Sequence, residues 1–404
     1  MQILAINTGS SSIKFALYER NSASADLQST LSGLIEGLEP QGQGLMKWQD
    51  RQGQKTEQAL GLGAGTDTHA VALAALQQLL QTQGVDHLDA IAHRIVHGGS
   101  AYTHSVVLSE AILHELEALN VLAPLHQPHN IAGVRSFMQQ FAGVPQIGCF
   151  DTAFHASMPA LHRQLALPAS LSAAGIRRYG FHGLSYQYIS AALLQASPRA
   201  TGKVLMAHLG SGTSLCVMTG GKSQDTSMSF SALDGLMMSS RCGSLDPGVI
   251  LYLLGQGWEG KQLEQLLYKE SGLLGVSGLS GDMRTLRKAS QASSNDAAAA
   301  AQNAIALFEH RIVQEIGKLV ATVGGLDVLA FSGGIGENDV QTRLAVCQRL
   351  TFLGLQIDPV LNLQAVGGAG AQKISHASSA VEIWVVPTDE GSVAAHEALA
   401  LLPN

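Results

Sequence analysis

Five short segments of this 404-residue chain crowd arginine and histidine against glycine and small or aromatic residues. They are His93-Arg94-Ile95-Val96-His97-Gly98-Gly99, Pro124-Leu125-His126-Gln127-Pro128, Phe150-Asp151-Thr152-Ala153-Phe154-His155, Arg177-Arg178-Tyr179-Gly180-Phe181-His182-Gly183 and Ser239-Ser240-Arg241-Cys242-Gly243. Charged residues make up only 14 % of the chain, against roughly 25 % in a typical soluble protein, so these cations read as placed for a ligand rather than as solvated surface. Arginine offers two parallel donors to a carboxylate or phosphate, and histidine adds another; the chemistry indicated is the binding of small anions. His93 and His97 stand four apart, but Arg94 lies between them where a zinc protease has glutamate, and no third ligand is suggested. A serine hydrolase is equally disfavoured, since no G-x-S-x-G elbow is present.

Glycine turns supply the other half of an anion site. Residues 3–6 are apolar, break at Asn7-Thr8-Gly9-Ser10-Ser11-Ser12, and give way to alternation at Ile13, Phe15 and Leu17, which predicts strand, turn and strand. The pattern returns at residues 204–207, His208-Leu209-Gly210-Ser211-Gly212-Thr213 and residues 215–218. Aligned without gaps, Gly9 falls on Gly210, Ser10 on Ser211 and Ser12 on Thr213, so two similar halves are expected. A third turn, Ser332-Gly333-Gly334-Ile335-Gly336-Glu337-Asn338, follows an apolar run at 327–331, with a helix expected just after it. Free N–H groups at a helix start attract anions. Three such turns, with Lys14 beyond the first, could surround a polyphosphate, which predicts a nucleotide cleft between two halves. Neither a Walker A loop nor a G-x-G-x-x-G fingerprint is present: Cys216 stands where the first Walker glycine is needed before Gly220-Gly221-Lys222-Ser223, and Gly210-Ser211-Gly212 runs on into Thr213, Ser214 and Leu215. Phosphoryl transfer needs positioned cations and donors rather than a covalent nucleophile, and this residue set meets that need.

Composition narrows the setting. With 24 Lys+Arg against 31 Asp+Glu and a net charge of −7, the chain has no basic stripe for nucleic acid. No apolar run approaches the roughly 20 residues of a membrane helix, and no basic leader opens the chain. Cys149, Cys216, Cys242 and Cys347 are scattered and read as small buried apolar residues, so a cytoplasmic protein is expected. Residues 295–323 repeat apolar side chains every three or four positions, a long helix; interleaved strands and helices predict an α/β protein with mixed sheets.

Residues 7–14, the His-Arg-Ile-Val-His-Gly-Gly segment, residues 150–155, 178–183, 241–243 and 334–338 together resemble the acetate kinase family, in order and at family spacing from residue 2 to about residue 397. The resemblance implies the duplicated actin-like, ribonuclease H-like fold, with residues 1–151 plus 387–404 as one domain, 152–386 as the other, and ATP between them. It implies a homodimer that reversibly transfers phosphate from ATP to acetate by direct in-line attack, with Mg²⁺ or alternatively Mn²⁺. By the same resemblance Asn7 and Glu390 lie at the metal, Ser10, Ser12 and Lys14 face the phosphates, and His208, Leu209, Gly210, Ser211, Gly212, Asp282, Met283, Arg284, Gly334, Ile335, Gly336, Glu337 and Asn338 hold ATP or ADP. Arg94 binds the substrate carboxylate, Asp151 is the essential acidic residue, His182 and Arg241 stabilise the transition state, His126 helps bind the phosphoryl group, and Val96, Leu125, Phe181 and Ala232 line the methyl pocket. A carboxylate acceptor is already ionised, so Asp151 is expected to orient Mg²⁺ or an arginine rather than remove a proton.

Several positions depart from the family pattern. Ser211 replaces the usual Asn, Ala232 the usual Pro and Ser229 the usual Gly, while Gln127, Ser244 and Gly391 stand where Asn, Asp and a second acidic residue are expected. The smaller Ala232 predicts a roomier acyl pocket that accepts propionate. Rival readings are a propionate or butyrate kinase, a sugar kinase of the same superfold, and an ATP-binding sensor without an acceptor.

Overall fold

The structure, a computed structural model, describes residues 1–20, 27–39, 42–62, 67–124, 126–292, 295–368 and 370–403. Two compact units emerge, Met1–Phe154 with Asp389–Asn404, and His155–Thr388.

The first unit is built on an eight-stranded sheet: β1 (Gln2–Thr8), β2 (Ser12–Glu19), β3 (Gln28–Glu36), β4 (Leu45–Gln49), β5 (Lys55–Ala59), β6 (Ala90–Ile95), β7 (Val106–Val107) and β8 (Gln146–Phe150), in the order β5-β4-β3-β2-β1-β6-β8-β7. β1 runs antiparallel to β2 and parallel to β6, which runs parallel to β8. Alternation decides the faces of β2: Ile13, Phe15 and Leu17 are buried, Lys14 is exposed, and Lys14 pairs with Asn7 across the turn. Helix Thr68–Thr82 sets Leu73, Leu76, Leu79 and Leu80 against this apolar face, together with Phe137 from helix Gln127–Gln140.

The second unit carries β9 (Lys203–Leu209), β10 (Thr213–Thr219), β11 (Lys222–Thr226), β12 (Val328–Ser332), β13 (Gln372–Lys373) and β14 (Glu382–Val385), in the order β11-β10-β9-β12-β14-β13. The five-strand core is the same in both units. β3-β2-β1-β6-β8 and β11-β10-β9-β12-β14 share one order, with two antiparallel and two parallel pairings each. β1 and β9 also share one pattern of burial, two central strands covered on both faces whose sixth residues, Asn7 and His208, emerge at the carboxyl end. The fold is therefore α/β with two mixed sheets, and the internal repeat read from the glycine turns is real.

Helix Asp296–Val323 packs on the second sheet through Ala301, Ala304, Ile305, Phe308, Ile312, Ile316 and Leu319. Asn295 caps its start by accepting from the Ala298 N–H at 2.9 Å, and Gly324 ends it in the left-handed region. One element differs from expectation. The third glycine segment is itself helical, helix Gly333–Asn338 beginning directly at the end of β12, while the helix expected just after it is present as Val340–Arg349. Gly333 makes this possible, because it turns at φ +75° with its Cα against Leu209, where a Cβ would lie 2.7 Å from the carbonyl oxygen.

Cys149, Cys216 and Cys347 are buried, as the sequence suggests; Cys242 is only partly so. Burial pushes the Cys149 and Cys216 thiols up to about 12, so neither is a ready nucleophile. Among the described residues no helix is long and apolar enough to cross a membrane.

Candidate active site

In the first unit the carboxyl ends of β1, β6 and β8 lie side by side, the place where open α/β sheets bind ligands. Arg94 comes from the end of β6 and Asp151 directly follows β8. Their side chains meet in a fork: Nε donates to Oδ1 at 2.9 Å and to Oδ2 at 3.2 Å, and Nη2 donates to Oδ2 at 2.7 Å. Glu390, the first residue of helix Glu390–Leu401, brings Oε2 to 3.5 Å from the same Nε. Although burial opposes the guanidinium charge, Asp151 and Glu390 together hold its pKa above the usual arginine range. Asp151 therefore receives the Nε–Nη2 edge of Arg94 directly.

The first glycine turn is short and closed by the Gly9 N–H donating to the Ser12 carbonyl at 2.8 Å; Ser10 and Lys14 are exposed and Ser12 half-buried. Val96 is buried and donates its N–H to Asn130 Oδ1 at 3.0 Å. His126 sits at the N-cap of helix Gln127–Gln140, with no side-chain capping bond. Leu125 lies outside the described residues.

In the second unit three separate segments converge. Gly210 and Ser211 after β9, Asp282, Met283 and Arg284 at the start of helix Met283–Ser290, and Gly334, Ile335 and Asn338 of helix Gly333–Asn338 line one cavity of about 930 Å³, toward the upper end of the size range of small-molecule sites. Asp282 caps its helix by accepting from the Thr285 N–H at 3.1 Å and hydroxyl at 2.8 Å. Burial raises the pKa of its carboxyl, yet those bonds and Arg284 outweigh burial and keep it ionised below the usual range. Glu337 turns inward, accepting from the Gly333 N–H at 2.9 Å and the Thr388 N–H at 3.3 Å, and burial raises its carboxyl pKa.

His182 and His208 stand beside the same β9–β10 turn, their rings 4.4 Å apart, and a Cβ on Gly212 would lie 3.2 Å from His182 Nε2. Arg241 donates from Nη1 to the Ala232 carbonyl at 3.0 Å, so this cation and the position expected to line the acyl pocket touch. Phe181 is buried, its carbonyl bonded to His155 Nε2 at 2.9 Å. Arg178, by contrast, is structural: it donates to Asp225 Oδ1 at 2.8 Å.

No cluster of three or more His, Cys, Asp or Glu side chains among the described residues could hold a metal ion by itself. Asn7 and Glu390 nonetheless offer hard oxygen donors at the carboxyl end of the first sheet, and Mg²⁺ takes one or two such ligands while keeping waters and substrate phosphates. That donor set fits an ion that arrives with a nucleotide.

Residues 2–396 match the model of the acetokinase family. An acetate kinase of Rhodopseudomonas palustris is 44 % identical over 392 residues, covering 96 % of this chain and 95 % of the relative. The chain belongs to the acetokinase family. It is thus an enzyme of the acetate kinase type, a phosphotransferase. The crystal structure of a propionate kinase from Francisella tularensis superimposes with a TM-score of 0.87 at 34 % identity, covering 98 % of each chain. That of Porphyromonas gingivalis acetate kinase does so with a TM-score of 0.86 at 33 % identity over 100 % of each.

Three departures from the family pattern find local reasons in this member. Gln127 is fully buried, accepting from the His97 N–H at 3.1 Å and donating to the His97 carbonyl at 2.9 Å, a backbone clamp behind Arg94. Gly391 lies against Tyr18, where a Cβ would meet the hydroxyl at 2.7 Å, while that hydroxyl donates to Asp389 Oδ1 at 2.6 Å. Ser244 donates to Asp234 Oδ1 at 2.7 Å and accepts from the Gly235 N–H at 3.2 Å, fixing the loop after Ala232. Sequence reasoning passed over Asn130, whose Nδ2 donates to the Thr8 carbonyl at 2.7 Å while its Oδ1 holds Val96, tying the ends of β1 and β6 together. It also passed over Arg287, which lines the same 930 Å³ cavity and is held by Glu309 and Asp339 at 2.7 and 3.0 Å.

Proposed function

We propose that this acetokinase-family enzyme transfers the terminal phosphate of ATP to acetate, and to propionate as a second acceptor, giving the acyl phosphate reversibly and by direct in-line attack. The observation that carries the reading is the convergence of Gly210 and Ser211, Asp282, Met283 and Arg284, and Gly334, Ile335 and Asn338 on one cavity in a chain that matches the family along its length.

A short carboxylic acid is already ionised at neutral pH, so its attack on phosphorus needs no base; the obstacle is repulsion between two anions. Arg94, aimed by Asp151, would bind the acceptor carboxylate, and Arg241 and His182 would donate to the phosphoryl oxygens as charge spreads over them. Ser10, Ser12 and Lys14, with His126, would face the phosphates. Asn7 and Glu390 would hold Mg²⁺, which when bound neutralises part of the phosphate charge. By the family resemblance Val96, Phe181 and Ala232 would each meet the acyl group of the acid. A propionate kinase among the similar structures, together with Ala232, supports the second acceptor.

The two compact units are read as the family's two domains, and the active form as a cytoplasmic homodimer. Helix Pro247–Gly255 supports the dimer: it is strongly apolar yet has no buried residue, with Leu251 69 % and Tyr252 64 % exposed, a face suited to a second copy. Light scattering should give twice the chain mass, and Leu251→Glu should return it to monomer.

The test of activity is a hydroxamate assay for acyl phosphate with ATP, Mg²⁺ and a series of C2 to C4 acids. Acetate should give rapid turnover, with propionate within about a hundredfold of it. No acyl phosphate from any acid would refute the assignment.

A further inference from the structure

Among the described residues His182 is the one non-glycine residue with positive φ, at 58° with ψ 28°. This left-handed step, at the N-cap of helix Gly183–Ala196, carries the imidazole to the β9–β10 turn. Its orientation is then set from behind. His182 Nδ1 lies 2.8 Å from Ser214 Oγ, and Ser214 Oγ lies 2.5 Å from the Tyr186 hydroxyl. Ser214 and Tyr186 are both fully buried, and burial raises the pKa of the Tyr186 phenol well above its usual range, so it keeps its proton.

A protonated phenol has a hydrogen to donate. If Tyr186 gives its hydrogen to Ser214 Oγ, the serine's own hydrogen is left for His182 Nδ1, and a neutral imidazole whose Nδ1 accepts carries its proton on Nε2. That nitrogen is the one beside Gly212.

We propose that Tyr186 and Ser214 are positioning residues, a buried hydroxyl relay that locks His182 in the Nε2–H tautomer and aims that donor at the phosphate-binding turn 209–213. No sequence motif singles out either residue. The inference rests on the phosphoryl-binding role read for His182, and it adds what gives that ring its donor. A metal-free, neutral donor suits a transition state whose charge sits on phosphoryl oxygens, because it supplies a hydrogen bond without depending on capture of a second proton.

The experiment is ¹⁵N NMR of the full chain labelled at histidine imidazoles, with the His182 signals assigned from their loss in His182→Gln, run beside steady-state acyl phosphate formation. In the unsubstituted protein His182 should show a protonated Nε2 and an unprotonated Nδ1. Ser214→Ala should mix the tautomers and lower kcat about 10-fold while both KM values stay within about twofold, and Ser214→Thr should restore both readouts. Tyr186→Phe should move both in the same direction by less, and it carries the test if Ser214→Ala does not fold. A protonated Nδ1 in the unsubstituted protein overturns the relay, as does a Ser214→Ala protein that keeps both tautomer and kcat. Since the tautomer is read without turnover, failure of the relay is distinguishable from failure of the kinase reading, which would appear as absence of acyl phosphate from the unsubstituted protein.

Discussion

Arg94 gives the Nε–Nη2 edge of its guanidinium to Asp151, and the carboxylate that receives it is only 1 % exposed. A carboxylate held in this way is an orienting group and not a free base, which agrees with an acceptor that has no proton to lose. Asp151→Ala leaves a mostly buried arginine whose remaining carboxylate among the described residues is Glu390 at 3.5 Å. Removing one partner of such a pair costs about 3 kcal/mol, so thermal unfolding should shift downward by several degrees, and kcat/KM should fall on the order of 10²-fold. Asp151→Asn, which keeps an acceptor oxygen, should lose less stability than Asp151→Ala. Melting curves and the hydroxamate assay measure the two effects separately, and an Asp151→Ala protein with unaltered kinetics would remove Asp151 from the site.

Arg94→Ala and Arg241→Ala should each lower kcat/KM on the order of 10²-fold or more, with the loss in Arg94→Ala concentrated in the KM for the acid. Initial rates across acetate concentrations at saturating ATP make the comparison. Equal loss in kcat alone for both variants would mean that Arg94 does not hold the ground-state carboxylate.

Acid should weaken both units. Burial lowers the pKa of His93 to about 4 despite its bond to Gln146, and burial likewise lowers that of His155 to about 4, with Arg178 adding to the effect. Both are neutral when folded, whereas the unfolded chain binds their protons from about pH 6.5 downward. Stability is therefore full above pH 6.5 and is lost as pH falls toward 4, each histidine adding a slope of about 1.4 kcal/mol per pH unit. Urea unfolding at pH 7, 6 and 5 tests this, and His93→Gln should flatten the slope by about one proton.

The fold was legible where periodicity is local. The paired turns at Gly9 and Gly210, the alternation of β2 and the helix at 296–323 all follow from neighbours within a few residues. Three segments singled out in the sequence do converge on one cavity of the second unit. What the chain hides are partners far apart in sequence. Asn130 is 122 residues from Thr8, and Ser214 is 32 from His182; nothing in their immediate surroundings distinguishes a clamp from an ordinary buried polar residue. Residues 333–338 misled because a glycine-rich run reads as a turn, while the bond from the Gly333 N–H to the Glu337 side chain closes a helical one.

Arg343 illustrates the same point and carries a prediction. It is fully buried without a carboxylate on its guanidinium: Nε donates to Asn362 Oδ1 at 2.7 Å, Nη1 to the Gly336 and Glu337 carbonyls at 2.8 Å each, and Nη2 to the Asn362 carbonyl at 2.8 Å. These bonds cap the end of the helix that lines the cavity proposed for the nucleotide. Arg343→Met fills the volume but strands several carbonyls, so it should cost about 3–5 kcal/mol and weaken ATP binding more than acetate binding. Calorimetric titration with ATP beside a thermal melt checks it; unchanged nucleotide affinity in a folded variant would show that the clamp serves stability alone.

Acyl selectivity should turn on position 232. The Ala232 carbonyl accepts from Arg241, so the backbone there is tied to a cation of the site while its side chain is a single methyl. Ala232→Pro adds two ring carbons and fixes φ near −65°, narrowing the space without removing that carbonyl. One methylene of substrate is worth about 1–3 kcal/mol in an apolar pocket, so the ratio of kcat/KM for propionate over acetate should fall roughly 10-fold or more. Acetate kinetics should change little. A ratio that stays constant, with both acids slowed equally, would mean that the substitution displaced Arg241 and that position 232 does not meet the acyl chain.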